Sequence, residues 1–505
     1  MLTPIHKAQG TTHGERQLAK LTEASFFGLW SYASIQRKIS KGGRSFAHEV
    51  VDLAVVFGND LILFSEKDIK FPVHEDIKVA WGRWLRQSVI ESADQLRGAA
   101  KHMISGRYPL FLDAKCTQPF PFTLGVAETR IHLVAICRNS AEPAERYFRQ
   151  VGEEGAQDSS GTLAFEARLS EQEMLDNPFW VGDLSPKKPF VHVFDEVAIE
   201  LLMTQLDTGP DFIDYLTVRE RAIRAQHLAK FYGEEDFLAI YLGGMQPTGY
   251  GSFQTDAPDD ETWLELPEGQ WQSFRASPVY AIQEELLRAA SFWKRLTNDF
   301  SKAILTATVG EASELPLEVH ERAARVLASE NRASRAGLGS QLLDKYNTVP
   351  TNVRSARLAI SSPHPRRLYI FLFFPWNDDF KTYEGYREVR MRWMKMYAAA
   401  AQLKYPEYSE IAILGADPKG SRGSSETFLV VQGAPELSDA DKAETRAMMK
   451  EFRVLTDMGP PMPSAYSPDR SGRSQTQQRT EQKSPGVNDP CSCGSGKKFK
   501  KCCRP

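Results

Sequence analysis

Between Asp52 and Lys67 the chain reads DLAVVFGNDLILFSEK, two apolar runs on either side of Gly58-Asn59 with charges gathered at the far end. Strands apolar on both faces are buried between layers, and Gly-Asn between two such runs predicts a hairpin. A two-residue turn sets Asp52 opposite Ser65, with Lys67 on the same face and Glu66 on the other. A three-residue turn sets Asp52 opposite Glu66 and turns Lys67 away. Either register collects Asp, Glu and Lys at one end of a buried sheet, where unpaired charge is costly.

The same reading organises the rest of the chain. Leu18, Leu21, Ser25 and Leu29 at helical spacing predict a helix over 15–30, followed by a Gly-rich break, SKGGRS. A long helix is expected from Val79 to Ile104, with Trp81, Leu85, Ser88, Ser92, Gln95 and Ala99 on one face, and then strands at YPLFLDA and TRIHLVAIC. That order suits a small α/β domain over 12–140. A second α/β region, 150–345, has a strand at FVHVF, a helix capped by Asp195, and a long helix over 279–307. A third, 350–457, pairs the buried run LYIFLFFP with the helix YREVRMRWMKMYAAAAQLKY and strands at EIAILGA and TFLVVQG. The expected architecture is multidomain α/β and α+β. Residues 458–487, rich in Pro, Ser, Gln, Arg and Gly, read as a disordered linker, and 488–505 as a short terminal module.

Composition changes this picture at the C-terminus. The 505-residue chain carries a net charge of −3. Ser464–Pro505 holds nine Lys/Arg against three Asp/Glu, so a +6 tail hangs on a −9 body. Such a tail suits nucleic acid, ribosome or an acidic partner. There is no membrane-length apolar run and no apolar h-region at the N-terminus, so the expected location is the cytoplasm, without membrane contact. Cys116 and Cys137 stand alone in apolar surroundings and read as reduced core residues. Cys491, Cys493, Cys502 and Cys503 crowd into NDPCSCGSGKKFKKCCRP with C-x-C-x8-C-C spacing. Four thiolates this close can enclose one Zn²⁺ tetrahedrally, and Gly494 and Gly496 let the chain turn. So short a segment has too little core to fold without metal.

This tail resembles the SEC-C motif, the zinc-binding tail of the SecA preprotein translocase motor, including Asn-Asp-Pro and Gly-Ser-Gly-Lys-Lys. The family's pattern often ends Cys-His, and here Cys503 takes the last place. The resemblance implies zinc and docking to a protein or ribosomal partner. It does not imply a translocase, because no G-x-x-x-x-G-K-[ST] loop follows a strand.

The hairpin end resembles the PD-(D/E)xK nuclease superfamily: a helical Glu, an Asp on a strand, a turn, then an acid-x-Lys strand. The resemblance implies a restriction-endonuclease-like α/β domain and Mg²⁺-assisted cleavage of DNA or RNA, in which carboxylates hold the ion and a lysine orients water or neutralises phosphate charge. Asp52 matches the first acid and Lys67 the lysine. Ser65 stands where the second acid belongs, and Glu66 is one residue off. Glu15 would be the helical Glu, with Glu49 or Glu23 as stand-ins, and Gln95 would match the Gln carried by RecB-type members. Two functions follow: a metal-dependent nuclease with a zinc docking tail, or a non-enzymatic adaptor with the same tail.

Other features carry no chemistry. His192 reads as a core histidine on a buried strand. In LDTGPDF, Gly209-Pro210 reads as a helix stop and restart rather than part of a protease loop. The basic aromatic helix reads as solvated on one face and packed on the other.

Overall fold

A computed structural model describes residues 2–464, apart from 42–43, 126–127, 152–162, 255–262, 310–313, 378, 422–424, 434–436 and 457. Met1–Tyr466 form one compact unit and Ser467–Pro505 another. The expected linker from 465 onward and the whole zinc motif lie outside the described residues.

The first elements are α1 (His13–Trp30), β1 (Ser31–Lys41), β2 (Arg44–Phe57), β3 (Asp60–Lys67), α2 (Ile77–Leu85), a π-helical turn (Arg86–Ile90), α3 (Glu91–Ile104), β4 (Leu110–Phe111), β5 (Arg130–Cys137) and α4 (Ala141–Val151). Next come β6 (Ala164–Glu166), α5 (Glu171–Asp176), β7 (Trp180–Val181), β8 (Val191–Asp195), α6 (Glu196–Gln205), α7 (Gly209–Ala225), β9 (Leu228–Phe231), α8 (Glu234–Gly243), β10 (Leu264–Glu265), α9 (Gln270–Arg275), α10 (Pro278–Leu305), α11 (Leu317–Ala328) and α12 (Arg332–Thr348). The chain ends with β11 (Ser355–Ile360), β12 (Arg367–Phe373), α13 (Tyr383–Lys404), β13 (Glu410–Ala416), β14 (Thr427–Gln432), α14 (Asp439–Phe452) and β15 (Met462–Pro463). Among the described residues no helix is long and apolar enough to cross a membrane.

The first sheet has strand order β4-β1-β2-β3-β5-β8. β4, β1, β2 and β3 each run antiparallel to the next, whereas β3, β5 and β8 are mutually parallel. Leu53, Val55, Ile62, Phe64 and Val134 face a core shared with α1, α6 and α7. Ala54, Val56, Leu61, Leu63 and Cys137 face a second core under α2 and α3. The result is a three-layer α/β/α arrangement, which explains why both hairpin strands are apolar on both faces.

Three details differ from the sequence expectation. SKGGRS does not break the chain before a single hairpin, because β1 precedes it and pairs with β2, so two hairpins share β2. FVHVF, placed in the second region, pairs with β5 and completes the first sheet. Met462-Pro463, placed in the linker, pairs in parallel with β11, and Ser464 behind it is buried. The other two sheets have orders β10-β9-β6-β7 and β14-β13-β12-β11-β15.

Local signals account for the helix starts. Thr12 and Glu15 form a capping box at α1. Asp195 caps α6 through the amides of Val197 and Ala198. Thr208 caps α7, with Pro210 in its first turn. His192 is buried, and burial first, then the Arg219 charge, holds its imidazole well below the usual pKa. On α13, Arg387, Arg392 and Lys395 are exposed while Tyr386, Arg390, Met394 and Tyr397 are buried. Cys137 is a core residue, but Cys116 is only half-buried, at positive φ in the turn gathered around Asp113.

Candidate functional site where strands β2 and β3 part

The turn decides the register. Phe57 pairs with Asp60, so Gly58-Asn59 is a two-residue turn, and Gly58 at φ +63° supplies the left-handed first position of a type II′ turn. Regular pairing runs from there to Leu53↔Phe64 and then stops. The next step along the same register sets Asp52 opposite Ser65. Asp52 also lacks a regular partner in β1: Ala33 pairs with Leu53 and Ile35 with Val51, while Ser34 between them sits at φ +53°. Beyond it the register slips, leaving Val50 as an extra residue in β2. Asp52 therefore sits where the ladder is interrupted on both sides.

Its carboxylate fills the gap in the ladder. Oδ2 of Asp52 accepts the backbone N–H of Glu66 at 2.7 Å. Burial lifts its pKa above the usual range, and the negative charge of Glu15 adds to this. The Glu66 amide, Lys67 and the Ser65 hydroxyl oppose it. Glu49 is also raised, first by partial burial and then by the charges of Asp52 and Glu15, against the Ser34 hydroxyl and Lys67. Lys67 is half-buried and makes no ion pair within 4.0 Å with any described residue, yet its charge acts on both acids. Asp52, Glu49, Lys67 and Ser65 thus form one electrostatic neighbourhood, with Glu15 at its edge.

Glu66 is elsewhere. Its side chain turns to the α1 face, 2 % exposed, and its carboxylate pairs with the Nε–H of Arg138. Burial is the main influence raising its carboxyl, and Arg138 opposes it. The backbone of α1 presses on it: an alanine Cβ at Gly14 would lie 1.9 Å from Oε1 of Glu66. Glu66 therefore senses the Asp52 charge but is committed to Arg138 on the opposite face of the strand. Glu15 is partly committed too, because Oε2 accepts the amides of Thr11 and Thr12 at 2.5 and 3.3 Å. Glu23 pairs with Lys7 at 2.5 Å and takes no part.

Gln95 is exposed on α3 and does not reach the sheet. The π-helical turn at Arg86–Ile90 explains this. It adds one residue to the turn and rotates the following stripe, so Ser92, Leu96, Ala99 and Met103 face inward in place of the expected Gln95. The freed Ser88 carbonyl accepts from Ser92 Oγ at 2.7 Å and Cys137 Sγ at 3.1 Å.

Two contributors escaped the sequence reading. Arg138 follows β5 in a parallel register that brings Lys67 against Cys137, and only that register reveals it as the partner of Glu66. Glu49, by sequence a stand-in for the helical Glu, is an exposed residue of β2 just beyond the bulge at Val50, where the Asp52 charge acts on it. A separate cavity of about 700 Å³, lined by Lys70, Phe71, His74, Asn139, Arg146 and Glu196, contains neither Asp52 nor Lys67.

Among the described residues no group of three or more His, Cys, Asp or Glu side chains converges on one ion position. Mg²⁺ does not require this: it binds through one or two carboxylates and keeps several waters or phosphate oxygens. Asp52 and Glu49 both have carboxyl pKa raised first by desolvation, and a cation beside them would favour the charged form of each.

Comparison with known proteins adds one finding. The SEC-C motif matches residues 488–505, the segment holding Cys491, Cys493, Cys502 and Cys503. It is a zinc-binding type of motif, and four thiols suit tetrahedral Zn²⁺. No curated protein and no solved structure matches the chain. The chain therefore ends in a SEC-C motif carried behind a mixed α/β body.

Proposed function

We propose that the body is a divalent-metal-dependent nuclease and that the SEC-C tail binds Zn²⁺ and docks the protein to a protein or ribosomal partner. The observation that carries this reading is the placement of Asp52 at the interrupted ladder, with the Lys67 charge acting on it and its own charge acting on Glu49. The order helix, three antiparallel strands, helix, parallel strand supports a restriction-endonuclease-like core. Asp52 and Glu49 are the residues that would hold Mg²⁺. A bound ion would supply Lewis acidity to a phosphate oxygen and a nucleophilic water at neutral pH. Lys67 offers positive charge to the phosphate that gains charge in the transition state. Ser65 and the Glu66 amide fix the Asp52 carboxylate, and Glu66 with Arg138 fixes the strand end that carries Lys67.

The test is cleavage of labelled DNA and RNA with Mg²⁺ or Mn²⁺, comparing wild type with Asp52→Ala and Lys67→Ala. Metal-dependent cleavage lost in both variants is the expected result. Equal activity in all three would remove the nuclease reading. The absence of an acid at Ser65 favours the second reading, an adaptor with an inherited but inactive fold. It predicts no metal-dependent cleavage by pure wild type.

A further inference from the structure

β2 does not end where β3 leaves it. Residues 44–51 continue past the site with only β1 alongside, and β4 touches β1 only at Gln36 and Arg37. The pairs from Arg37↔His48 to Lys41↔Arg44 make a two-stranded ribbon, roughly 14 Å long at about 3.4 Å per residue. The ribbon starts at Glu49, beside Asp52. From Gln36 to Val50 it holds four Lys/Arg and one acid, Glu49, in a body whose net charge is otherwise negative.

Lys38 and Arg44 are exposed, and none of Arg37, Lys38 and Arg44 pairs with a carboxylate among the described residues. Arg37 is half-buried and its guanidinium donates to Nδ1 of His102 on α3 at 3.3 Å. His102 is stacked on Tyr108 and held below its usual pKa by burial, Arg37 and His48. A local excess of positive charge on a negatively charged body attracts anionic partners. Phe46 lies on the ribbon face shared with Ile39, Arg37 and His48, and 45 % of it is exposed. Cations interleaved with an exposed aromatic ring suit a nucleic-acid strand, with phosphates held by charge and a base stacked on the ring.

We propose that the β1–β2 ribbon is a nucleic-acid-binding arm: Arg37 and Arg44, on the same face as Phe46, hold the phosphate backbone, and Phe46 stacks an unpaired base. This deepens the nuclease reading by naming single-stranded nucleic acid, or an unpaired segment, as what the arm presents to Asp52. It rests on that reading only for the cleavage step, since binding is measured without it.

The experiment is fluorescence anisotropy of labelled single-stranded and duplex oligonucleotides with the full chain, without added Mg²⁺, over a range of salt. The proteins are wild type, Arg37→Ala/Arg44→Ala and Phe46→Ala, each checked by thermal melting. Removing two phosphate contacts should weaken single-strand binding about tenfold and reduce the salt slope by about 1.4. Phe46→Ala should weaken single-strand binding by about tenfold and duplex binding far less. Binding is read without Mg²⁺ and without cleavage, so a failed cleavage assay and a failed arm are separable. Unchanged affinity and salt slope in Arg37→Ala/Arg44→Ala would overturn the arm. Unchanged single-strand affinity in Phe46→Ala would overturn the stacking role.

Discussion

Replacing Gly14 by alanine tests the packing that removes Glu66 from the site. The new Cβ would lie 1.9 Å from Oε1 and 2.4 Å from Cδ of Glu66, far inside contact distance. A carboxylate at the end of a flexible chain could normally move aside. This one is buried and tied to Arg138, so moving it strains or breaks the pair. The expected cost of Gly14→Ala is about 1–3 kcal/mol, the range for overpacking. Glu66→Ala removes one partner of a buried ion pair, a change that costs about 3–5 kcal/mol when both groups are fully buried. The Arg138 side chain is 15 % exposed and reaches water, so about 2–3 kcal/mol is expected here. The two changes should not add. With Glu66 shortened, the alanine methyl enters vacated space and alanine is the better helix former, so Gly14→Ala should cost nothing or stabilise slightly. The coupling is then about 2 kcal/mol. Urea unfolding of wild type, both single variants and the double variant, followed by circular dichroism, measures it. If Gly14→Ala costs the same with and without Glu66, the packing of α1 on Glu66 is wrong and Glu66 is free to join Asp52.

Three further outcomes are expected. Protein lacking residues 488–505 should contain about one zinc fewer per chain than the full chain by elemental analysis, and no difference would remove the zinc site. Burial lifts the Asp214 carboxyl from 3.8 to about 6, with Tyr241 opposing and Asp211 adding to it. The folded protein keeps a proton that the unfolded chain releases, so this stability is complete below pH 3.8 and is lost as pH rises through 6, roughly 3 kcal/mol by pH 7. Asp214→Asn should therefore gain stability over wild type between pH 4.5 and pH 7 in urea melts, and a constant difference across that range would contradict the cause given. Gly58→Ala should cost about 1–2 kcal/mol in the same melts, because Gly58 holds φ +63°, which L side chains rarely adopt, and unchanged stability would contradict the turn.

How much of this the chain announces depends on how local the signal is. The β2–β3 hairpin was legible because Gly58 fixes the turn and the apolar runs fix both faces, leaving only the register to the structure. The capped helices were legible for the same reason: Thr12 with Glu15, Asp195 and Thr208 act within one turn. β1 was hidden because left-handed Ser34 breaks its alternation and its outer half, RKISK, is mostly polar. Gln95 was misplaced because a regular helix was assumed across Arg86–Ile90, where a π-turn adds a residue. Glu49 and Arg138 were unreadable as neighbours of the site because one depends on a bulge and the other on a parallel pairing between strands about seventy residues apart.

The central claim is that Asp52 and Glu49, and not Glu66, are the carboxylates of a nuclease site. It is tested most directly by the Mn²⁺-dependent cleavage rate of single-stranded oligonucleotide by wild type, Asp52→Asn, Glu49→Gln and Glu66→Gln, each shown to be folded. The account predicts cleavage by wild type and Glu66→Gln at comparable rates, and a loss of about a hundredfold or more in Asp52→Asn and Glu49→Gln. Full activity in Glu49→Gln together with loss in a stable Glu66→Gln would contradict it.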